Sequence, residues 1–472
     1  MQIKYALFFI LLQTIAPSLP AQPFYFGADL SYVNEMEDCG VVYKENQTPK
    51  DPYQIFADNG CNLVRLRLWH TPAWYDALNS GKRYADLADV KKSIARAKAA
   101  GMQVLLDFHL SDNWADPSKQ RVPAAWVSVV NNLPLLRDSL KNYISNTLLD
   151  LADENLLPEM VQIGNETNKG ILLSPQDDAN GWVLNWPRNA ALFNTAIQAV
   201  RDVENHTGKT IKVALHIAGP GDADWLAKAF HDNGVTDFDV IGLSYYWSWH
   251  KPITIANTGG IIAGLRQKYP GKQVMIFETG YIWTTAAKDA ANNIINNTDP
   301  AYQPVTPQNQ KKWLTDLTQE VINKGGSGVI YWEPAWVSST CRTQWGQGSH
   351  QENAAFFDFN NNLLADGGIG FMTHDYADLS AAPEAAAYAY LRLLPEGSGR
   401  LRIQCAPLDP GRKVFVQVTD IAGKVLTQTT LDTGGQTVLD ARLELPGQNA
   451  GVYFVKVWQE GGAAGVGKVW LK

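Results

Sequence analysis

Two carboxylates that follow short apolar segments are the side chains of this chain best placed to do chemistry. Glu166 ends residues 161–166, and Glu278 follows an apolar run at residues 274–277. Apolar runs of this length that stop at polar residues predict buried β-strands whose ends turn outward. An acid at such a position is available to a bound molecule rather than to the core.

Glycoside hydrolysis with retention of configuration uses two carboxyl groups about 5 to 5.5 Å apart, one as proton donor and one as nucleophile. A single acid after a strand is more often a solvated loop residue. Two acids at the same rim, with polar and aromatic side chains around them, indicate an active site. Glu333, which precedes Pro334 in an aromatic cluster, is the rival acid. We interpret Glu333 as a structural or binding residue.

Polar side chains near the two acids suggest how each would be held. Arg65 and Arg67 lie in an otherwise apolar strand, and an inward Arg would keep a carboxylate ionised. Strand alternation cannot choose between them, and we favour Arg65. Asn165 suits a sugar 2-hydroxyl, and a turn-forming role for it is equally open.

Other candidates could bind sugar hydroxyls or rings, and each also has a structural alternative. A buried His is commonly a satisfied core group, and Tyr and Trp commonly pack in the core. Ring faces can also floor a sugar subsite. These candidates are His109, which opens a polar segment with Asp112 and Trp114; Tyr245 or Tyr246, whose hydroxyl could steady the nucleophile; and Trp332 and Trp336.

Eight predicted strands alternate with helical patterns in residues 22–394. Such alternation implies parallel pairing through right-handed crossovers, and eight units predict a (β/α)8 barrel. Strand ends then share one rim, so Glu166 and Glu278, on the fourth and seventh strands, can face each other. The strands are predicted at 24–29, 63–69, 103–109, 161–166, 211–216, 238–246, 274–280 and 328–333, and the clearest helices at 86–100, 186–204 and 308–324.

Both ends of the chain differ from the predicted barrel. Residues 1–21 have a basic start, a short apolar run and Ala21, which is typical of a cleaved signal peptide and too short for a membrane span. Residues 395–400 are predicted to be a linker. Residues 401–472 alternate or run apolar between Gly and Asp turns, which predicts a small all-β, sandwich-like domain.

Composition limits the partners. With 45% hydrophobic and 18% charged residues the chain is ordinary globular protein. A net charge of −7 without a basic cluster argues against nucleic acid. The excess of aromatics, with 16 Trp, is compatible with sugar platforms. Export would permit disulfides among Cys39, Cys61, Cys341 and Cys405; their pairing stays open, and no CxxC pair suggests zinc.

The order of motifs resembles the endo-β-1,4-galactanases of glycoside hydrolase family 53, a family of clan A. The resemblance covers residues 24–394 and implies Glu166 as acid/base and Glu278 as nucleophile. It implies substrate contacts from Arg65, His109, Asp112, Trp114, Asn165, Tyr246 and Trp332, with Trp336 beside them. The matching segments are 26–29, 64–69, 107–109, 111–112, 114–117, 163–166, 244–246, 278–279 and 331–336.

The implied substrate is the β-1,4-galactan backbone of type I arabinogalactan, a pectin side chain, cut internally. We expect the protein to be a monomer. No cofactor is expected. The loop after Glu278 lacks the Asp/Gly-rich run that holds calcium in some bacterial members, although Asn296, Asn297 and Asp299 leave another structural calcium site open. Alternative functions are another clan A endo-glycosidase, acting on mannan, xylan or β-glucan, and a non-catalytic polysaccharide-binding barrel.

The tail resembles the C-terminal sorting domain of the type IX secretion pathway in residues 420–425, 445–457 and 468–472. That resemblance implies a Gram-negative cell and delivery to its surface or to the medium. The alternative is a small carbohydrate-binding sandwich, which only Tyr453, Trp458 and Trp470 would supply with rings.

Overall fold

The structure, a computed structural model, describes residues 24–377, 390–397, 400–406, 413–420, 425–431, 436–445, 451–459 and 464–471. The predicted signal peptide lies outside the described residues. The chain divides between Ser380 and Ala381 into a larger unit and a C-terminal unit. Among the described helices, none has both the length and the apolar character needed to cross a membrane.

Parallel strands close into a barrel, which confirms the predicted (β/α)8 fold. Each strand pairs with its neighbours in the sequence, and the first pairs with the eighth. Short apolar runs form these strands because both faces of a parallel barrel sheet are covered. The strands are β1 (Tyr25–Asp29), β2 (Leu63–Leu68), β3 (Gln103–Phe108), β4 (Met160–Ile163), β5 (Lys212–Ala218), β6 (Val240–Ser244), β7 (Gln273–Glu278) and β8 (Gly328–Tyr331).

Several helices begin at residues that cap them. Asp86 accepts from the N–H of Asp89 in the third helix, and Thr306 accepts from that of Asn309 in the last. The helices are α1 (Val33–Asp38), α2 (Pro52–Asp58), α3 (Leu87–Ala99), α4 (Leu133–Asp153), α5 (Pro175–Ala179), α6 (Trp186–Thr207), α7 (Pro220–Asp232), α8 (Trp247–His250), α9 (Ile255–Lys268) and α10 (Pro307–Asn323).

Inside the barrel, an apolar layer supports a polar one. Strand alternation places residues two apart on the same face, so one strand contributes to successive layers. Thus Leu63 belongs to the buried apolar layer, while Arg65 and Arg67 follow it on the inward face of β2 and are 1% and 2% exposed. Because only one residue separates the two arginines, they share one face of β2, and their burial shows that this face is the inward one.

The C-terminal unit contains two antiparallel sheets. Their strands are β9 (Tyr390–Gly397), β10 (Arg400–Ala406), β11 (Val414–Asp420), β12 (Val425–Leu431), β13 (Leu439–Glu444), β14 (Gly451–Gln459) and β15 (Ala464–Leu471). The sheets are ordered β9–β10–β13 and β12–β11–β14–β15. Side chains of both sheets, including Ile403, Val416 and Val455, form one buried cluster, as the predicted sandwich requires.

The structure corrects the predicted boundary between the two domains. Strand β9 runs into the predicted linker at 395–400 and pairs with β10, so that Leu393 lies opposite Ile403. The barrel unit therefore ends at Ser380 rather than at residue 394. The leucine-rich segment at 391–394 resembles a continuation of the barrel in sequence, and only its pairing partner assigns it to the C-terminal sheets.

One disulfide joins two segments of the barrel unit that are distant in sequence. Cys39, which follows α1, pairs with Cys341, which follows β8, across 302 residues. Cys61 and Cys405 are both buried and take no part in this disulfide. The bond therefore ties the segment after β1 to the one that carries Trp336.

We expect the Cys39→Ser/Cys341→Ser double variant to lose about 2–5 kcal/mol of free energy of unfolding, because the bond restricts a long loop of the unfolded chain. Thermal and denaturant unfolding would measure the loss. Reductant should destabilise the native protein and leave the double variant unchanged. Equal melting temperatures for native and variant proteins would contradict this expectation.

Candidate active site

Both predicted acids line one cleft of about 650 Å³. Glu166 lies just beyond β4 and Glu278 ends β7, so the cleft opens at the carboxyl ends of the strands, where barrel active sites lie. Aromatic side chains supply much of its wall, namely Trp114, Tyr246, Trp249, Trp332, Trp336 and Trp345. This composition suits sugar rings, whose apolar faces pack on aromatic ones.

Glu278 is held by a cation and a hydroxyl. Its Oε1 lies 2.8 Å from Arg65 Nη1, and its Oε2 accepts from the Tyr246 hydroxyl at 3.1 Å. Both contacts favour the ionised carboxylate. The phenol of Tyr245, by contrast, donates to the carbonyl of Ile253. Of the two candidate tyrosines, Tyr246 is therefore the one at the acid.

Arg65 is fixed from several strands at once. Its guanidinium pairs with Asp29 at 2.8 Å and with Asp107 at 2.7 Å. It also donates to Asn165 Oδ1 at 2.7 Å and to Gln162 Oε1 at 3.1 Å. A fully paired guanidinium cannot swing away from Glu278, so the favoured arginine is a rigid anchor for that carboxylate.

Glu166 adopts an uncommon backbone conformation. Its φ is +46°, in the left-handed region that residues other than Gly rarely adopt. Such backbone strain concentrates at functional sites, and here it accompanies the turn that brings the carboxylate from β4 to the cleft. Oε1 accepts a hydrogen bond of 2.7 Å from Ser244 Oγ.

The two acids differ in their hold on a proton. Burial, reinforced by the nearby Glu278, raises the pKa of Glu166 to about 8. Burial raises the pKa of Glu278 to about 7, against the lowering effect of Arg65. The cation makes Glu278 the stronger acid of the pair. The proton therefore stays on Glu166, which suits a donor facing a nucleophile.

Glu333, the rival acid, does not line the cleft. It is fully buried, and its Oε1 lies 3.0 Å from Arg67 Nη1. The Arg67 guanidinium lies over the ring of Trp114 at 4.2 Å, and also over Tyr32 and Trp69. The ion pair of Arg67 and Glu333 therefore supports the aromatic wall of the cleft, which is consistent with a structural role for Glu333.

Several predicted contact residues gather around the acids. Asn165 lines the cleft, and its amide donates to the Ala115 carbonyl at 2.8 Å. His109 is buried, with Nδ1 3.0 Å from Asp107 Oδ2, so it lies under the cleft wall rather than in it. Trp336 stacks on Tyr32 with centroids 4.0 Å apart.

Asp112 has its carboxylate hydrogen-bonded to the main chain, and its contact with substrate stays a prediction. It accepts from the N–H of Thr71 at 2.9 Å and from that of Ala124 at 2.7 Å. It ties the segments after β2 and β3 together and is absent from the cleft lining. An acid in a polar loop resembles a hydroxyl-binding residue when these backbone partners are unknown.

The residues considered for calcium take part in local hydrogen bonds. Asn297 donates to Asn296 Oδ1 at 2.6 Å, and Asp299 accepts from the N–H of Ala301. Within the described ranges, no group of three or more His, Cys, Asp or Glu side chains could hold a metal ion. A structural calcium ion and an enzyme that needs no cofactor both remain predictions.

The sequence patterns assigned no role to several side chains that the structure places at the site. Ser244 and His216 reach Glu166 from β6 and β5, and both are fully buried. Trp249 and Trp345 line the cleft with half or more of their surface exposed. The position of Trp249 just after β6 was the one available signal.

Comparison with known proteins places this barrel in one family. The model of glycosyl hydrolase family 53 matches residues 25–366. An arabinogalactan endo-beta-1,4-galactanase of Cellvibrio japonicus is 48% identical over 78% of this chain and 96% of its own length. An endo-beta-1,4-galactanase of Bacillus subtilis is 34% identical over 72% and 83%.

Solved structures agree with these matches. A GH53 catalytic domain of Ignisphaera aggregans is 34% identical, with a TM-score of 0.67, over 76% of this chain and 98% of that one. A structure from a study of two fungal beta-1,4-galactanases is 27% identical, with a TM-score of 0.61, over 74% and 99%. The matched region contains both acids and the residues that hold them.

Proposed function

Because this chain belongs to glycosyl hydrolase family 53, we propose that it is an endo-β-1,4-galactanase that cuts the backbone of type I arabinogalactan with retention of configuration. The relatives named as galactanases support the substrate. One observation carries the chemistry, namely that Glu166 and Glu278 line the same cleft and are held differently.

The reaction proceeds by double displacement. In the first step Glu278 attacks the anomeric carbon while Glu166 gives its proton to the departing glycosidic oxygen. The products are a glycosyl ester on Glu278 and a shortened galactan. In the second step Glu166 removes a proton from water, which attacks the same carbon and releases Glu278. Arg65 and Tyr246 hold the attacking carboxylate throughout.

Asn165 and the aromatic wall would bind the sugar at the cleavage point. Asn165 stands beside Glu166, where its amide suits the 2-hydroxyl whose hydrogen bond strengthens in the transition state. Trp332 and Trp336 lie on the β8 side of the same cleft. An open cleft rather than a closed cavity fits internal cleavage of a polymer.

The test is to incubate the purified protein with debranched galactan, mannan, xylan and β-glucan. Reducing ends and the anomeric proton signal of the first product would be followed. We expect release from galactan alone, with β-configured product formed first. Release from another polymer would identify that polymer as the substrate. An α-configured first product would exclude double displacement. Binding without release would favour the non-catalytic barrel.

The pH profile follows from the two acids. Activity needs Glu278 ionised and Glu166 protonated, so the rate should rise through the pKa of Glu278 and fall through that of Glu166. With values of about 7 and about 8, kcat/KM on galactan should be bell-shaped near neutrality. A profile that keeps rising above pH 9 would contradict Glu166 as proton donor.

We further propose that the enzyme is exported as a monomer and sorted by the type IX pathway. The basic and apolar residues at 1–21 support export, and the C-terminal β unit supports sorting. The N-terminal sequence of the protein recovered outside the cell tests cleavage near Ala21.

A further inference from the structure

A buried chain of side chains runs from Glu166 into the barrel. Glu166 Oε1 lies 2.7 Å from Ser244 Oγ, which lies 2.9 Å from His216 Nε2. Ser244 and His216 are fully buried on adjacent strands, with Ala218 of β5 opposite Ser244. We propose that Ser244 and His216 are positioning residues that reserve Oε1 of Glu166, so that proton transfer to and from the substrate uses Oε2. The proposal rests on the proposed function.

Two arrangements let the Ser244 hydroxyl donate to one of these two partners. Serine has one O–H and neutral histidine one N–H, and the two contacts need two hydrogens. In one arrangement His216 Nε2–H donates to Ser244, which donates to Oε1. In the other, Ser244 donates to Nε2 and a protonated Oε1 donates to Ser244. Only the first leaves the proton of Glu166 on Oε2.

The other ring nitrogen selects the first arrangement. The main-chain N–H of Glu166 donates to His216 Nδ1 at 3.3 Å, and the amide nitrogen of Gln162 lies 3.2 Å from Nδ1. The Gln162 amide is oriented by Arg65, which donates to its Oε1. Gln162 gives its two amide hydrogens to the Gly164 carbonyl at 3.0 Å and to Asn165 Oδ1 at 3.2 Å. Asn165 Oδ1, 3.0 Å from Nδ1, therefore already accepts from both Arg65 and Gln162. The main-chain N–H of Glu166 is thus the donor that faces Nδ1, and both lone pairs of Asn165 Oδ1 are occupied, so the ring proton belongs on Nε2.

This direction of the hydrogen bonds, from His216 through Ser244 to Glu166, suits both chemical steps. Within the part of the chain that the structure describes, Oε2 of Glu166 has no hydrogen-bond partner, and Glu166 lines the cleft. When Oε2 gives its proton away, the Ser244 hydroxyl already donates to the new carboxylate. When water later returns a proton to Oε2, no hydrogen in the chain has to move.

The charges around Glu166 set the direction of a pH effect. Burial and Glu278 raise its pKa, whereas the Ser244 hydroxyl and Arg65 lower it. His216 stays neutral, because burial, Arg65 and His109 lower its pKa well below the ordinary value. Loss of the Ser244 hydroxyl should therefore raise the pKa of Glu166 further. The ionisable groups facing Glu166 are Arg65, Asp116, His216, Tyr246 and Glu278.

The experiment compares Ser244→Ala, His216→Leu and their double variant with Ser248→Ala. Ser248 is a matched control, because its buried hydroxyl has no partner among the described residues. Each protein would be assayed on galactan and on an aryl galactotrioside with a dinitrophenolate leaving group. That leaving group departs without a proton, so its release isolates the contribution of Glu166 as acid.

For Ser244→Ala we expect kcat on galactan to fall about ten- to a hundredfold, as for loss of a hydrogen bond to a charged group. In the pH profile of activity on galactan, the fall on the basic side should move to higher pH, and the rise on the acid side should stay in place. The first burst of dinitrophenolate should remain near that of the native protein. His216→Leu should shift the basic limb in the same direction, and the double variant should be no worse than Ser244→Ala.

An unmoved basic limb, or equal losses on both substrates, would overturn the proposal, since a merely structural role predicts both. A loss in Ser248→Ala as large as in Ser244→Ala would overturn it as well. If the native protein released nothing from galactan, the proposed function would fail instead, and the two failures are therefore distinguishable.

Discussion

Glu278→Gln is expected to lower kcat on galactan by about 10⁴- to 10⁶-fold, the range for removal of a catalytic nucleophile. An amide oxygen cannot form the glycosyl ester, yet it has the size of the carboxylate and can still meet Tyr246 and Arg65. Affinity for galactan should therefore stay within a few-fold. Initial rates and titration calorimetry with a galacto-oligosaccharide would measure the two quantities.

The informative control for this variant is Glu333→Gln. Glu333 is fully buried against Arg67, so its replacement should lower stability while retaining catalysis by the folded protein. Circular dichroism would establish that both variants fold. Loss of turnover in Glu333→Gln with near-native turnover in Glu278→Gln would make the rival acid the nucleophile.

The sequence was sufficient for the two acids because each one ends an apolar run. Parallel strands bring their ends to one rim whatever the distance along the chain, so Glu166 and Glu278 could be paired without coordinates. The eight strands and the clearest helices were predictable for the same reason. The choice of Arg65 over Arg67 needed the structure, because both arginines share the inward face of β2 and only their partners distinguish them.

Residues whose role depends on a neighbour's exact position could not be found in this way. Ser244 and His216 resemble ordinary strand residues, and only the pairing of β5 with β6 brings them to Glu166. The two backbone N–H groups that donate to Asp112 likewise could not be foreseen from the sequence. The link between Cys39 and Cys341 likewise needed the closed barrel, which brings the segments after β1 and β8 together.

The role of Glu166 predicts a loss that depends on the leaving group. Glu166→Ala should lower kcat on galactan about 10²- to 10⁴-fold, the usual contribution of general acid–base catalysis. On a dinitrophenyl galactotrioside the first step should be affected far less, because the departing phenolate needs no proton. The second step still needs a base, so the glycosyl-enzyme should accumulate and be seen by intact-protein mass spectrometry.

Rescue of Glu166→Ala by azide then tests whether Glu166 is the acid/base residue. A small anion entering the space left by the side chain needs no deprotonation, so it should attack the glycosyl-enzyme and restore turnover. The product should be a β-galactosyl azide, because two inversions at the anomeric carbon retain its configuration. Glu278→Ala in the same assay would lack the ester, and azide could only displace the leaving group directly and give the α-azide. The two variants should thus yield opposite anomers, and the same anomer from both would exclude the assigned pair of roles.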